Sequence, residues 1–238
     1  MTERIELGDI TVNVTRKDIK NIHLSVNPPD GEVRISAPER MSLDAVRVFA
    51  ISKISWIRKQ QMKIREQERE TPREYLERES HYVWGRRHLL TIQEAEAAPV
   101  VRRKPGKLIL QVRPGADEKT RQAVLDDFYR ELIKHEAPAI VSKWEPVLGV
   151  TVKRLFVQHM KTKWGSCNPS ARTIRLNTDL AKKPAECLEY IIVHEMVHLI
   201  EPTHNANYIA LMDQFMPLWK QYRDQLNLLP VRHEEWDY

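Results

Sequence analysis

Cysteine is scarce in this sequence, and long apolar runs are absent from it. The 238 residues include only Cys167 and Cys187, which are too few for a framework of disulfide bonds. A reducing cytoplasm is therefore the simplest compartment to expect. Because no run of about 18 apolar residues occurs, we expect no transmembrane helix. Residues 1–6 contain no apolar segment of the kind that a signal peptide needs, so no signal peptide is expected there.

Signals for phosphate binding are also missing. The sequence has no glycine-rich loop of the P-loop form, and it has no clear cluster of Asp and Glu that could hold magnesium. Positive charge exceeds negative charge only mildly, with 38 Lys and Arg against 33 Asp and Glu. The densest basic cluster, Arg102-Arg103-Lys104 with Lys107 close behind, favours a solvated turn. Contact with an anion or a nucleic acid is the alternative for this cluster.

The spacing of apolar residues predicts an α+β chain in two parts. A strand-rich N-terminal region, residues 1–115, is expected to contain one long helix over residues 43–64 and a hairpin turn at Pro105-Gly106. A helix-dominated region, residues 116–238, is expected to carry the chemistry. The elements predicted in the second region are a helix over 117–144, strands over 151–158 and 173–176, a helix around residue 194, and a last helix over 206–226.

The strongest motif is His194-Glu195-Met196-Val197-His198, which has the H-E-x-x-H form. Residues four apart on a helix differ by about 40° around its axis, so both imidazoles share one face and can reach one ion. Glu195 points about 100° away from His194. From that position its carboxylate can hold a water on the ion without being a ligand.

The residues around the motif support a metal site. Nearly every neighbour from Tyr190 to Ile200 is apolar or aromatic, which predicts a buried helix in which unpartnered His and Glu would be costly. Pro202 is expected to end this helix near Glu201, so that the chain can turn back and supply His204 as the third ligand. The fourth position then stays open to water, as a catalytic zinc requires.

Three stretches of the sequence resemble the YgjP-like metallopeptidase family, whose relatives are the SprT-like zincins. They are Lys161 to Cys167, Ile174 to Asn177 with Leu180, and His194 through Pro202 to His204. The resemblance implies a zincin-like catalytic domain over the C-terminal region. Members of the family are named peptidases mainly from the motif, and the cleavage of UTP to UMP and pyrophosphate has also been attached to the family.

The loop before the second predicted strand offers candidate substrate-binding residues. Trp164 is either a wall of the substrate pocket or part of the core, and Gly165 would permit a tight turn. Lys163 and Arg175 would stabilise an oxyanion or hold phosphates, unless they are solvated strand ends.

These observations leave three functions open. The leading hypothesis is a zinc peptidase that acts on peptides or unfolded protein through a zinc-bound water activated by Glu195. The second is a nucleoside-triphosphate pyrophosphohydrolase that uses the same site. The third is a nucleic-acid-associated binding module with a structural zinc, although such a site normally has four protein ligands. We also consider that residues 229–238 could dock into the cleft and restrain activity, with a plain terminus as the alternative.

Overall fold

A computed structural model describes residues 2–27, 30–66, 73–161 and 163–228 of the chain. Contacts divide these residues into two compact units. The first unit contains the described residues up to Glu66, and the second contains those from Arg73 to Leu228. Each unit has its own cluster of buried apolar side chains.

The first unit is a four-stranded sheet with two helices. Its elements are β1 (Thr2–Leu7), β2 (Ile10–Lys17), β3 (His23–Asn27), β4 (Glu32–Pro38), α1 (Leu43–Ser52) and α2 (Ile54–Glu66). The strand order is β1-β2-β4-β3, with β2 and β4 parallel. Alternation along the strands buries Val12, Val14 and Ile35, which form a core with Val46 of α1 and Ile57 of α2.

The long helix predicted over residues 43–64 is two helices. The Ser52 hydroxyl donates to the Phe49 carbonyl oxygen at 2.7 Å, which is the acceptor that the Lys53 N–H would use in a continuous helix. The Lys53 N–H instead donates to the Ala50 carbonyl oxygen at 3.0 Å. A serine side chain thus competes with the backbone at the point where α1 ends.

The second unit begins with another four-stranded sheet. Its strands are β5 (Ser80–Val83), β6 (Arg86–Glu94), β7 (Val100–Lys104) and β8 (Lys107–Val112), in the order β5-β6-β8-β7. Strands β7 and β8 form an antiparallel hairpin around Pro105 and Gly106, which confirms the predicted turn. Gly106 has a φ of 68°, a backbone conformation that glycine adopts without strain.

A long helix, α3 (Glu118–Leu148), crosses the second unit. The Asp117 side chain caps it by accepting from the Thr120 N–H at 2.8 Å, and Gly149 ends it in the left-handed conformation. One face of α3 buries Leu125 and Ile133 in the core that β8 and the later helices share. The domain division expected at residue 115 falls between β8 and α3, inside this unit.

The last part of the second unit holds a three-stranded sheet and three helices. The strands are β9 (Arg154–Gln158), β10 (Gly165–Asn168) and β11 (Thr173–Asn177), in the order β10-β11-β9, and the helices are α4 (Ala185–Val197), α5 (Ala206–Phe215) and α6 (Trp219–Leu228). The helix predicted over residues 206–226 is divided into α5 and α6. Proline disfavours helical geometry in the residue before it, and Met216, which precedes Pro217, has left the helical region.

The mixed sheets and helices confirm the predicted α+β class and the strand-rich N-terminal region. Within the described part of the chain, no helix combines the length and the apolar character that crossing a bilayer requires.

Candidate active site

The helix α4 carries the H-E-x-x-H motif through the core of the second unit. Most of its residues are buried, including the run from Tyr190 to Val193. Its regular part ends at Val197, and the Glu201 N–H still donates to the Val197 carbonyl oxygen at 2.9 Å, just before Pro202. The chain then turns back, and α5 begins at Ala206. This turn brings His204 to the face of α4 that carries the other two histidines.

Three imidazole nitrogens meet at this point. His204 Nε2 lies 3.1 Å from His194 Nε2 and 3.1 Å from His198 Nε2. In the described part of the chain these three residues could hold one metal ion, since their ligand atoms all lie within 4.8 Å of one another. Nitrogens placed about 2.0–2.1 Å from a tetrahedral ion would be roughly 3.3 Å apart. The observed separations therefore fit such an ion.

The surroundings favour the neutral form of His194 and His198, which is the form that binds metals. His198 Nδ1 lies 3.0 Å from the Glu201 carbonyl oxygen, so Nδ1 must donate and Nε2 keeps its lone pair. Burial, with smaller contributions from His198 and His204, lowers the pKa of His194 to about 3. Burial also lowers the pKa of His198. Within the described residues, His194 Nδ1 is buried without a hydrogen-bond partner.

Tyr208 of α5 supports all three rings, a role that the sequence analysis did not assign to it. Its ring stacks on His198 at a centroid distance of 4.7 Å and meets the edges of His194 at 5.3 Å and His204 at 4.7 Å. Its hydroxyl donates to the His194 carbonyl oxygen at 3.3 Å. The side chain of Asn205 caps α5 by accepting from the Tyr208 N–H at 3.0 Å. The only sequence signal was an aromatic residue four positions after His204.

Glu195 lies under the edge strand β10 and is only 5% exposed. A Cβ added at Gly165 would lie 2.7 Å from Glu195 Oε1 and 2.9 Å from Glu195 Cγ. Gly165 is the first residue of β10 and does not lie in a tight turn, and the close approach to Glu195 explains the glycine. Burial raises the pKa of Glu195 to about 7, and the charge of Lys163 opposes this rise.

A cleft of about 480 Å³ joins these residues, and it brings Lys163 and Trp164 together with the three histidines and Glu195. Trp164 is half-buried: it lines the cleft and also packs against the core. Arg175 is not among the residues that line the cleft; its guanidinium lies 5.5 Å from the centre of the Phe156 ring. Side chains alternate between the two faces of β11, and Ile174 and Leu176, on either side of Arg175, are buried. The Arg175 side chain therefore lies on the opposite face of the strand.

Asn177 anchors the loop that carries Lys163 and Trp164, and the sequence analysis gave it no such role. Its Nδ2 donates to the carbonyl oxygens of Met160 at 2.7 Å and Lys163 at 2.8 Å. Its backbone N–H donates to the Trp164 carbonyl oxygen at 2.9 Å. A single asparagine at the end of β11 therefore fixes both ends of the segment that borders the cleft. Its place in the second of the family-like stretches, Ile174 to Asn177, was the only indication in the sequence.

Comparison with known proteins gives the family. The sequence matches the family described as YgjP-like, metallopeptidase domain, over residues 20–228. The chain belongs to the YgjP-like metallopeptidase family. Membership in this family implies a hydrolase that depends on a divalent metal and acts on peptides. It gives no specific support to the nucleoside-triphosphate and nucleic-acid alternatives.

Two solved structures resemble part of this family member. One is the metallopeptidase zymogen abylysin of Pyrococcus abyssi, at 18% identity and a TM-score of 0.36, covering 40% of this chain and 98% of that chain. The other is the metallopeptidase zymogen jannalysin of Methanocaldococcus jannaschii, at 21% identity and a TM-score of 0.34, covering 37% of this chain and 91% of that chain. No curated protein matches the sequence significantly.

One sequence-based expectation falls outside this description. The docking of residues 229–238 into the cleft concerns residues beyond the described ones, and it stays a prediction.

Proposed function

We propose that this protein is a zinc peptidase in which His194, His198 and His204 hold the ion and Glu195 is the general base. The observation that carries the proposal is the meeting of three imidazole Nε2 atoms in a cleft that also contains a buried carboxylate. Three neutral nitrogen ligands with an open fourth position are typical of catalytic zinc sites. Bound there, zinc would polarise a substrate carbonyl and lower the pKa of a water molecule.

Glu195 is suited to moving a proton at neutral pH. A general base works best when its pKa lies near the operating pH, and burial raises the pKa of Glu195 to about 7. The carboxylate would take a proton from the attacking water and pass it to the leaving amine. Gly165 leaves room for the carboxylate, and the backbone of β10 restricts where the carboxylate can move.

The edge strand β10 suits an extended peptide. It is the outer strand of its sheet and pairs on one side with β11, so its other side can accept main-chain hydrogen bonds from a substrate. Ser166 and Cys167 of this strand line the cleft beside Glu195. Lys163 would stabilise the negative charge that develops on the carbonyl oxygen, and Trp164 would form a wall of the pocket. Arg175 lies away from the cleft and has no part in this proposal.

The test is a direct assay of the purified, zinc-loaded protein against unfolded protein and a quenched fluorescent peptide. Glu195→Gln is the matched control because it keeps the shape of the side chain and removes the base. We expect this variant to keep its zinc and its fold while turnover falls about 10²–10⁴-fold. Full turnover by the metal-loaded variant would contradict the role of Glu195.

A parallel assay with UTP tests whether the substrate is a nucleoside triphosphate instead of a peptide. The proposal predicts no release of pyrophosphate above background. Release that Glu195→Gln abolishes would replace the peptidase proposal by a nucleotide pyrophosphohydrolase at the same metal site.

A further inference from the structure

A second and larger cleft lies at the beginning of α4, away from the three histidines. Its volume is about 1410 Å³, and it is lined by the turn from Trp84 to Arg87, the turn from Arg103 to Gly106, and parts of α3, α4 and α6. Pockets that hold small molecules are usually roughly 300–1,000 Å³. The size of this cleft therefore suits a stretch of polymer better than a small ligand.

Sheet pairing brings the two turns together. Strands β6 and β8 are parallel, and the Leu89 N–H donates to the Gly106 carbonyl oxygen at 2.9 Å, so the start of β6 lies beside the β7–β8 turn. The buried His88 donates from Nδ1 to the Arg86 carbonyl oxygen at 2.9 Å, which fixes the backbone that carries Arg86. A main-chain hydrogen bond and a contact from the His88 side chain to the main chain therefore hold the two turns.

The cleft is positively charged. Arg86, Arg87, Arg103 and Lys104 line it against two carboxylates, Glu136 and Glu186. Arg87 donates to the Ser80 hydroxyl at 2.8 Å. The other three cations are exposed and form no ion pair with any residue that the structure describes. Guanidinium groups without a partner are well matched to carboxylates, which they bind with two parallel hydrogen bonds.

The catalytic cleft also contains cations, although it includes the Glu195 carboxylate as well. Lys163 and Arg223 line it, and the Arg223 guanidinium forms an ion pair with the Asp224 carboxylate at 2.9 Å. Ala185 lines the basic cleft and Glu195 lines the catalytic one, ten residues further along α4. Ten helical residues span about 15 Å, a distance that about five residues of extended peptide would cover. A polypeptide that occupies both clefts could therefore place acidic residues in the basic one.

We propose that the basic cleft at the start of α4 is an exosite for an acidic segment of a polypeptide substrate, with Arg86, Arg103 and Lys104 binding its carboxylates. This inference rests on the peptidase function proposed above and narrows its substrate class. The acidic segment lies outside the scissile region, so the exosite acts on substrate binding and not on the chemical step. A basic surface of this kind also raises the rate of association with an acidic partner.

Binding of a labelled glutamate-rich peptide is measured by fluorescence anisotropy. The protein is the full chain with the Glu195→Gln substitution, which slows cleavage of the peptide during the measurement. The combined substitution of Arg86→Gln and Arg103→Gln should weaken binding roughly fivefold, as expected for two exposed ion pairs. The matched control combines Arg102→Gln with Lys107→Gln, which removes the same charge next to the cleft without touching its lining. This control should change binding by less than about twofold, and rising salt should weaken binding by the parent.

Three other outcomes would refute the proposed exosite. An equal loss in both double variants would show an effect of net charge alone. A glutamine-rich peptide that binds the parent as tightly as the glutamate-rich one would exclude recognition of carboxylates. A single-stranded oligonucleotide that displaces the labelled peptide at lower concentration than unlabelled peptide would assign the cleft to nucleic acid.

The binding assay needs no turnover, so the exosite and the proposed function can fail separately. If the zinc-loaded parent cleaves peptides but binds the glutamate-rich peptide no better than the Arg86 and Arg103 double variant does, only the exosite is refuted. If the parent cleaves no peptide, the proposed function fails, whatever the anisotropy shows. In the cleaving protein, the double variant should lower the preference for acidic over neutral substrates through KM rather than kcat.

Discussion

Replacing Gly165 by alanine tests whether the close approach of β10 to α4 sets the position of Glu195. The added methyl group would lie 2.7 Å from Glu195 Oε1 and 2.9 Å from Ile191 Cγ2. Both distances are well below van der Waals contact, so the carboxylate or the strand must shift. Overpacking of this kind costs about 1–3 kcal/mol of stability. A displacement of about 1 Å in a catalytic group can lower turnover roughly 10²-fold.

We therefore expect Gly165→Ala to keep the metal, because none of the three histidines is among the nearest contacts of the added methyl group. Turnover on a fluorescent peptide should fall about 10²-fold, and the melting temperature should fall by several degrees. Elemental analysis, peptide kinetics and calorimetry measure the three quantities on one preparation.

Gly115→Ala is the control for stability alone. Gly115 has a φ of 73° with nothing within 4 Å of an added Cβ, so alanine costs only backbone strain, about 1–2 kcal/mol. That variant should lose stability and keep its turnover. Full turnover by Gly165→Ala would refute the argument that β10 restrains Glu195.

Three further predictions concern the ligands, their support and the helix that carries them. His204→Ala should bind zinc far more weakly without a loss of fold, since His204 is exposed; calorimetric titration that shows unchanged affinity would exclude it as a ligand. Tyr208→Leu should lower zinc affinity about 10–100-fold because the stacked ring is lost, whereas Tyr208→Phe should stay near the parent; equal affinities in all three proteins would show that the ring does not position the imidazoles. Burial raises the pKa of Glu189, but hydrogen bonds from Lys143 and Trp144 outweigh it and leave the pKa lowered below 4.5. Its contribution to stability is therefore present above pH 4.5 and lost as the pH falls through the folded value, so Glu189→Gln should cost about 0.5–1 kcal/mol at pH 7 and less in acid. Denaturant unfolding at pH 7 and at a pH well below 4.5 measures the cost of the substitution, and an equal cost under the two conditions would contradict an ionic contribution from Glu189.

Local sequence determined the parts of this protein that depend on helix period and turn chemistry. The spacing of His194 and His198 places both imidazoles on one face of any helix, whatever surrounds it. Pro202 marks the end of that helical segment, and Pro105-Gly106 marks a hairpin turn that the structure contains. These features need only a few neighbouring residues, so a single sequence was enough to predict them.

Some local signals were present but were outweighed by the apolar pattern. The periodicity that predicted one helix over residues 43–64 contained Ser52, whose hydroxyl takes a backbone acceptor and ends α1. The pattern over residues 206–226 contained Pro217, at which α5 and α6 separate. In both places hydrophobic spacing alone could not show that a side chain or a proline removes a backbone hydrogen bond.

Tertiary structure alone decided which distant residues meet around the histidines. Gly165 is a glycine because β10 lies against Glu195, and that contact joins residues 30 positions apart in the sequence. Arg175 stands near Lys163 in the sequence but stacks on Phe156, because pairing of β11 with β9 fixes the face on which its side chain lies. Tyr208 reaches all three imidazoles only because the turn at Pro202 folds α5 back on α4. Such contacts depend on strand register and helix packing between remote segments, which the periodicity of one segment does not contain.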